Sequence, residues 1–431
     1  MSDFNIYALE EQISEMEYIT ATYYCEFPED IDIVAKAKSF AVGQTIGTWL
    51  PVPGVTPEMH EKHMGRAVGF YEAPPTELKN QIAEGKRAFF IQIAYPTVNF
   101  GSDFPMLLTT LLGNDASTST QAKLVDLKLT RKFAEGFGGP NLGIEGVKDA
   151  VGIHDRPIVM SMIKPCTGFT PEAGAEIFYK AAIGGVEIIK DDELLGDTEF
   201  SSCIDRVKAY NAAADRVYDE IGFRPLYIVN ITGSPDTIID KALRCVDAGA
   251  RGVMAAYAAV GYGTFNGLAK ALKGSGCLLM GHYASSGMSF EGVYSGMASY
   301  LACGRFPRLA GCDLIMSNTP FGGYPLQYDK YMRIIHHLTL PLYDIKPTMP
   351  IIGGGVHPGM TEQFIDDCGK DIILAAGGAI HGFPDGPDKG AKAMRQSIDA
   401  VMQGVPLNEY AKDHEELKKA LDMWGYIKGK R

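Results

Sequence analysis

The chain has 431 residues, 46% of them hydrophobic and 21% charged, with a formal net charge of -12. This length exceeds what one hydrophobic core usually supports, so two domains are expected. The acidic balance argues against nucleic acid or an anionic membrane as the main partner, while one local site can still take a small phosphorylated substrate.

The eight cysteines (Cys25, Cys166, Cys203, Cys245, Cys277, Cys303, Cys312, Cys368) form no CxxC pair and no zinc-like spacing with histidine, which predicts reduced thiols in a cytoplasmic protein. The start, Met1-Ser2-Asp3-Phe4-Asn5, carries no basic-then-apolar leader, and no apolar run reaches membrane-spanning length.

Residues 1–145 mix strand-like runs at 18–24 and 88–95 with helical ones at 31–42 and 105–113, which predicts an α+β domain with helices on one face of a small sheet. Within it, Gly47-Thr48-Trp49 and Gly113-Asn114 look unlike scaffold. From residue 146 to 431 the reading is a barrel domain with a C-terminal helical extension. Its strands are expected near 156–164, 186–192, 225–231, 252–258, 277–283, 310–316, 349–353 and 371–376. Between them lie helical segments such as Pro171 to Ile183, Ser202 to Ile221, Pro235 to Ala248 and Gly390 to Met402, long enough for parallel crossovers. Eight even β/α units predict a (β/α)8 TIM barrel. The final stretch from Leu407 is read as amphipathic helix that packs without chemistry.

A TIM barrel collects the C-terminal ends of its strands on one face, so residues far apart in sequence can share a site. The second strand runs Gly184-Gly185-Val186-Glu187-Ile188-Ile189 straight into Lys190-Asp191-Asp192-Glu193. Period-two alternation places Lys190 and Asp192 on one face and sends Asp191 to the other. Taken alone, the four charges fit a solvated acidic loop or a lysine in salt bridges.

Asp192 and Glu193 offer the hard oxygens that magnesium prefers. Lys190 joins them only if carbon dioxide converts its neutral amine to a carbamate. Lys164, ending the first strand, is a candidate for proton transfer, its pKa expected to fall beside a cation. His282, ending the fifth, is a candidate for holding a substrate hydroxyl. Gly354-Gly355 and Gly377-Gly378, after strands seven and eight, match the phosphate cradle that recurs in this fold.

Gly184 to Glu193 together resemble the signature of the large subunit of ribulose bisphosphate carboxylase (RuBisCO), and Ile163-Lys164-Pro165 resembles its first-strand motif. The resemblance spans about residues 20–404. It implies a ferredoxin-like first domain, a catalytic barrel, and a homodimer, or an oligomer of dimers, in which one subunit completes the other's site. It further implies that Lys190 is the carbamylated metal ligand beside Asp192 and Glu193, and that Lys164 is the catalytic acid/base. His282 corresponds to a substrate-binding histidine. Thr48, Trp49, Gly355, Gly377 and Gly378 correspond to a phosphate site, and Asn114 to the asparagine lent by the partner subunit.

Departures from the family pattern narrow the activity. Tyr283 replaces an arginine, Met316 a histidine, Cys166 a lysine, Gly353 a serine and Gly43 a glutamate, and Thr319 to Tyr324 has no mobile-loop lysine. No partner for a second phosphate is visible at strands five and six, so the chain reads as a RuBisCO-like protein that does not carboxylate. The leading expectation is magnesium-dependent enolisation of a mono-phosphorylated keto sugar or keto sugar acid, by a tautomerase, isomerase or decarboxylating lyase. One alternative is the methionine-salvage diketo-methylthiopentyl-phosphate enolase or isomerase, whose base is a lysine where this chain has Asn114. The other is a non-catalytic sugar-phosphate-binding protein.

Overall fold

A computed structural model describes residues 6–47, 52–82, 84–323 and 326–427. The chain divides into two compact units, one of residues 1–137 with 285–302, the other of 138–284 with 303–431.

In the first unit, strands β1 (Tyr18–Pro28), β2 (Arg66–Ala73), β3 (Lys86–Pro96) and β4 (Lys123–Lys128) form a four-stranded sheet in the order β2-β3-β1-β4. The β1–β3, β1–β4 and β2–β3 pairings are all antiparallel. Helix Ile33–Gly43 follows β1 and helix Phe104–Leu111 follows β3, giving the βαββαβ order of a ferredoxin-like domain. Strands β2 and β4 are additions to the sequence reading. Their short, half-exposed alternation (Lys-Leu-Val-Asp-Leu-Lys in β4) offers little apolar signal.

In the second unit eight parallel strands close a barrel: β5 (Ile158–Met162), β6 (Ile188–Lys190), β7 (Leu226–Asn230), β8 (Gly252–Ala256), β9 (Leu278–His282), β10 (Leu314–Asn318), β11 (Met349–Gly353) and β12 (Ile373–Ala375). Each falls inside or beside a predicted span. The crossover helices start where capping chemistry places them. Thr170 accepts from the Ala173 N–H ahead of Pro171, and Ser202 accepts from the Asp205 N–H.

The barrel interior is a column of inward residues, among them Ile158, Met160, Ile188, Ile228, Met254, Met280, Leu314 and Ile351, and Ile144 and Val147 of helix Gly143–Val151 join the same cluster. Buried Asp313 accepts from Leu142 N at 2.7 Å, Gly143 N at 2.9 Å and Leu279 N at 2.9 Å, tying that helix start to the sheet. With the core filled from below, only the C-terminal ends of the strands remain open to chemistry. Among the described residues no helix is long and apolar enough to cross a membrane.

Candidate active site

Lys190 stands one step of the inward period above Ile188 and pairs across the sheet with Met162. Asp191 therefore faces outward, where Arg206 Nε at 3.1 Å, Tyr227 Oη at 2.7 Å and Asn230 N at 2.9 Å bind its carboxylate. Asp191 and Arg206 are both fully buried. Asn230 then fixes the loop beyond β6 by donating from Nδ2 to the carbonyls of Glu193 and Leu195, each at 3.1 Å. One outward network thus sets the direction of the two inward groups beside it.

Those inward groups line a cavity of about 610 Å³ at the C-terminal end of the barrel. Lys164, Lys190, Asp192, Glu193, His282, Gly354, Gly355, Gly377 and Gly378 all contribute to it. Every barrel residue proposed for the site is therefore in one place. Asn114 belongs to the first unit, at the start of the π-helical turn Asp115–Ser119, and lines a cavity of about 1200 Å³ there. Thr48 and Trp49 lie outside the described residues.

Lys190 is fully buried, donates to the Asp191 carbonyl at 2.9 Å and faces Glu193 Oε2 at 3.6 Å. Burial lowers its pKa, with the Lys164 charge adding to the effect and the three carboxylates opposing it without reversing it. A lysine inclined to shed its proton in front of two carboxylates suits conversion to a carbamate. Among the described residues no group of three or more His, Cys, Asp and Glu side chains gathers as a metal site. Asp192 and Glu193, with Lys190 as its carbamate, would be the oxygen donors available to a magnesium ion in this cavity.

Asp192 is the partner of Lys164, not of Lys190: Lys164 Nζ lies 2.7 Å from Asp192 Oδ2 and 3.1 Å from Cys166 Sγ. Partial burial pulls Lys164 down, but the hydrogen bonds to Asp192 and Cys166 outweigh it and leave the ammonium above its ordinary value. The carboxylate of Asp192 is the charge nearest to this ammonium. Burial likewise pushes Asp192 up, and its bonds to Lys164 and the Leu194 N–H overcome that and hold it below the usual range.

Burial, with the Lys190 charge, drives His282 well below the ordinary imidazole range, so the ring is neutral. Its Nδ1 accepts from Ala284 N at 3.2 Å, which puts the proton on Nε2, facing Glu193 Oε2 at 3.3 Å.

At β10 and β11 the replaced residues form a packing pair. A Cβ on Gly353 would fall 2.4 Å from Met316 Sδ, so the thioether fills the space that a side chain at 353 would need. Met316, Tyr283 and Met162 give this part of the cavity an apolar lining. Gly354 and Gly355, at φ of 91° and 95°, turn the chain as L side chains rarely can.

His381 Nε2 lies 3.0 Å from Ser161 Oγ, and burial, then the Lys164 charge, pulls its pKa down to about 4. The unfolded imidazole takes its proton near pH 6.5 and the folded one resists until about 4. Stability is therefore full above about pH 6.5 and falls as pH drops toward 4, by roughly 2–3 kcal/mol from this group. Urea unfolding of wild type and His381→Gln between pH 7 and 4 should show that part of the slope vanish in the variant.

Residues 143–424 match the family described as ribulose bisphosphate carboxylase large chain, catalytic domain. The chain belongs to this family as a RuBisCO-like member. It is 41% identical over 421 residues to a ribulose bisphosphate carboxylase-like protein of Archaeoglobus fulgidus, covering 96% of this chain and 95% of that one. It is 36% identical over 414 residues to a 2,3-diketo-5-methylthiopentyl-1-phosphate enolase of Geobacillus thermodenitrificans, covering 96% and 99%. A crystal structure of a rubisco-like protein (MtnW) from Alicyclobacillus acidocaldarius superposes with a TM-score of 0.87 at 34% identity, covering 95% of this chain and 100% of that one.

Sequence reasoning about this RuBisCO-like chain missed four contributors. Asn230 was visible as a polar residue ending a strand, but its role depends on the neighbouring loop. His357 and the C-terminal Met423 and Trp424 line the cavity, although the last stretch read as packing alone. Their signal was present only as one of two tryptophans in the chain and a histidine after a triple glycine.

Proposed function

We propose that this protein enolises a mono-phosphorylated keto sugar or keto sugar acid with magnesium, and does not carboxylate ribulose bisphosphate. What carries this reading is the single cavity that joins Lys164, Lys190, Asp192, Glu193 and His282 to both glycine pairs. The glycine loops offer backbone N–H groups to one phosphate. Asp192, Glu193 and Lys190 as its carbamate would hold magnesium, whose charge would favour an enolate oxygen over the ketone.

Lys164, 2.7 Å from Asp192 Oδ2, would move the proton at the substrate carbon, delivering it as the ammonium and accepting it only as the neutral amine, after losing a proton of its own. Neutral His282 would orient a hydroxyl through Nε2–H. The fate of the enolate, reprotonation by a tautomerase or isomerase, or its origin in decarboxylation of a 3-oxo sugar acid phosphate, follows from the substrate. Asn114 would be lent by the partner in a homodimer, or in a higher assembly of dimers, as the family resemblance implies.

A second reading, the methionine-salvage enolase, is favoured by the apolar lining of Met162, Tyr283 and Met316, which suits an uncharged thioether tail, and by the enolase relatives. Solvent deuterium uptake tests both. Wild type should exchange the α-proton of one class in a panel holding 2,3-diketo-5-methylthiopentyl 1-phosphate, phosphorylated keto sugars and phosphorylated keto acids. Lys164→Ala should lose that exchange by about 10²- to 10⁴-fold. Equal exchange in both proteins would remove Lys164 from the mechanism, and phosphate-ester binding that ignores magnesium in calorimetry would favour a non-catalytic binding protein.

A further inference from the structure

The C-terminal helix Glu415–Trp424 comes after the last barrel strand, yet its final two residues line the cavity. The helix is fastened to the barrel. Leu417 N donates to Gln396 Oε1 at 2.9 Å, Lys392 Nζ pairs with Glu416 Oε1 at 2.8 Å, and Trp424 packs on the cluster of Phe383, Ala393 and Ala420. Beyond the helix, Ile427 N donates to Gly359 O at 2.9 Å, just past β11. There a Cβ on Gly359 would fall 2.0 Å from Gly425 O, so the strap lies in direct backbone contact with that turn.

This anchoring sets the Trp424 ring 5.9 Å from that of His357, beside the glycine loops. The His357 Nδ1 is buried without a hydrogen-bond partner, and Trp424 makes ring contacts but no hydrogen bond among the described residues. Both rings line the cavity, and among the described residues neither the Trp424 indole nor His357 Nδ1 has a hydrogen-bond partner. Mere packing of a C-terminal helix does not need an indole and an imidazole at that edge.

We propose that Trp424 and His357 form a further binding edge of this cavity, the indole N–H and the imidazole ring holding the substrate's phosphate alongside the glycine loops. The inference rests on reading the cavity as a phosphate site, and it makes the last helix part of the binding machinery.

The test is calorimetric titration of the full-length protein with inorganic phosphate. Trp424→Phe keeps a ring and removes the N–H, His357→Ala removes the imidazole, and Gly359→Ala displaces the strap. Each should weaken phosphate binding about tenfold, with Trp424→Phe still folded at the titration temperature by its thermal transition. Gly355→Ala serves as a control on the glycine loop. Phosphate affinity within twofold of wild type in both Trp424→Phe and His357→Ala, with Gly355→Ala impaired, overturns this inference and leaves the phosphate reading standing. Absence of phosphate binding by the wild type overturns both.

Discussion

Replacing Lys190 with methionine is expected to abolish magnesium-dependent α-proton exchange, by about 10³-fold or more, while making the protein more stable. The two effects share one cause. Lys190 is fully buried, its hydrogen bond runs to the Asp191 carbonyl, and its nearest carboxylate oxygen is 3.6 Å away. A methionine of similar length keeps the packing and removes the desolvation penalty, for a gain of about 1–3 kcal/mol in urea unfolding. Lysine at this point is expected to weaken the fold, and the carbamate that its neutral amine can form with carbon dioxide, releasing a proton, is the reason proposed for keeping it. Full exchange activity in Lys190→Met would show that the site works without this group. A large loss of stability would show that Lys190 serves the scaffold.

Arg206→Met is expected to be among the most destabilising single changes in the barrel, at about 3–5 kcal/mol, because it strands the Asp191 carboxylate in a site without solvent. Arg206 holds Asp191 at 3.1 Å and also donates to the Gly196 carbonyl at 3.0 Å and to the Ser201 carbonyl. The same carboxylate accepts from Asn230, whose side chain fixes the Glu193 carbonyl. The variant should therefore lose magnesium affinity along with stability, although Arg206 is not a metal ligand. Adding Asp191→Leu to Arg206→Met should restore a good part of the stability by removing the unpaired charge, yet leave metal affinity low. Urea unfolding and magnesium titration of the three proteins measure this. Equal stability of the single and double variants would contradict the argument.

The departures at strands five to seven are easier to interpret with the packing in view. Met316 and Gly353 read as separate losses of a histidine and a serine, but the Sδ of one occupies the place of a Cβ on the other. A Gly353→Ser change made alone should therefore clash with the Met316 thioether.

Much of the barrel and its site could be read from the sequence, because parallel strands buried on both faces show as apolar runs between amphipathic crossovers. Alternation then fixed which charges at a strand end point inward, so Lys190 and Asp192 were separable from Asp191 without coordinates. What alternation cannot supply is the partner across the barrel. Lys164 and Asp192 are 28 positions apart and meet at 2.7 Å only because β5 and β6 are neighbours. Strands β2 and β4 were lost for lack of contrast, since half-exposed edge strands alternate weakly. Trp424 was lost because an amphipathic helix looks alike whether its last turn meets another helix or a cavity, and only the closed barrel decides which side chains border that space.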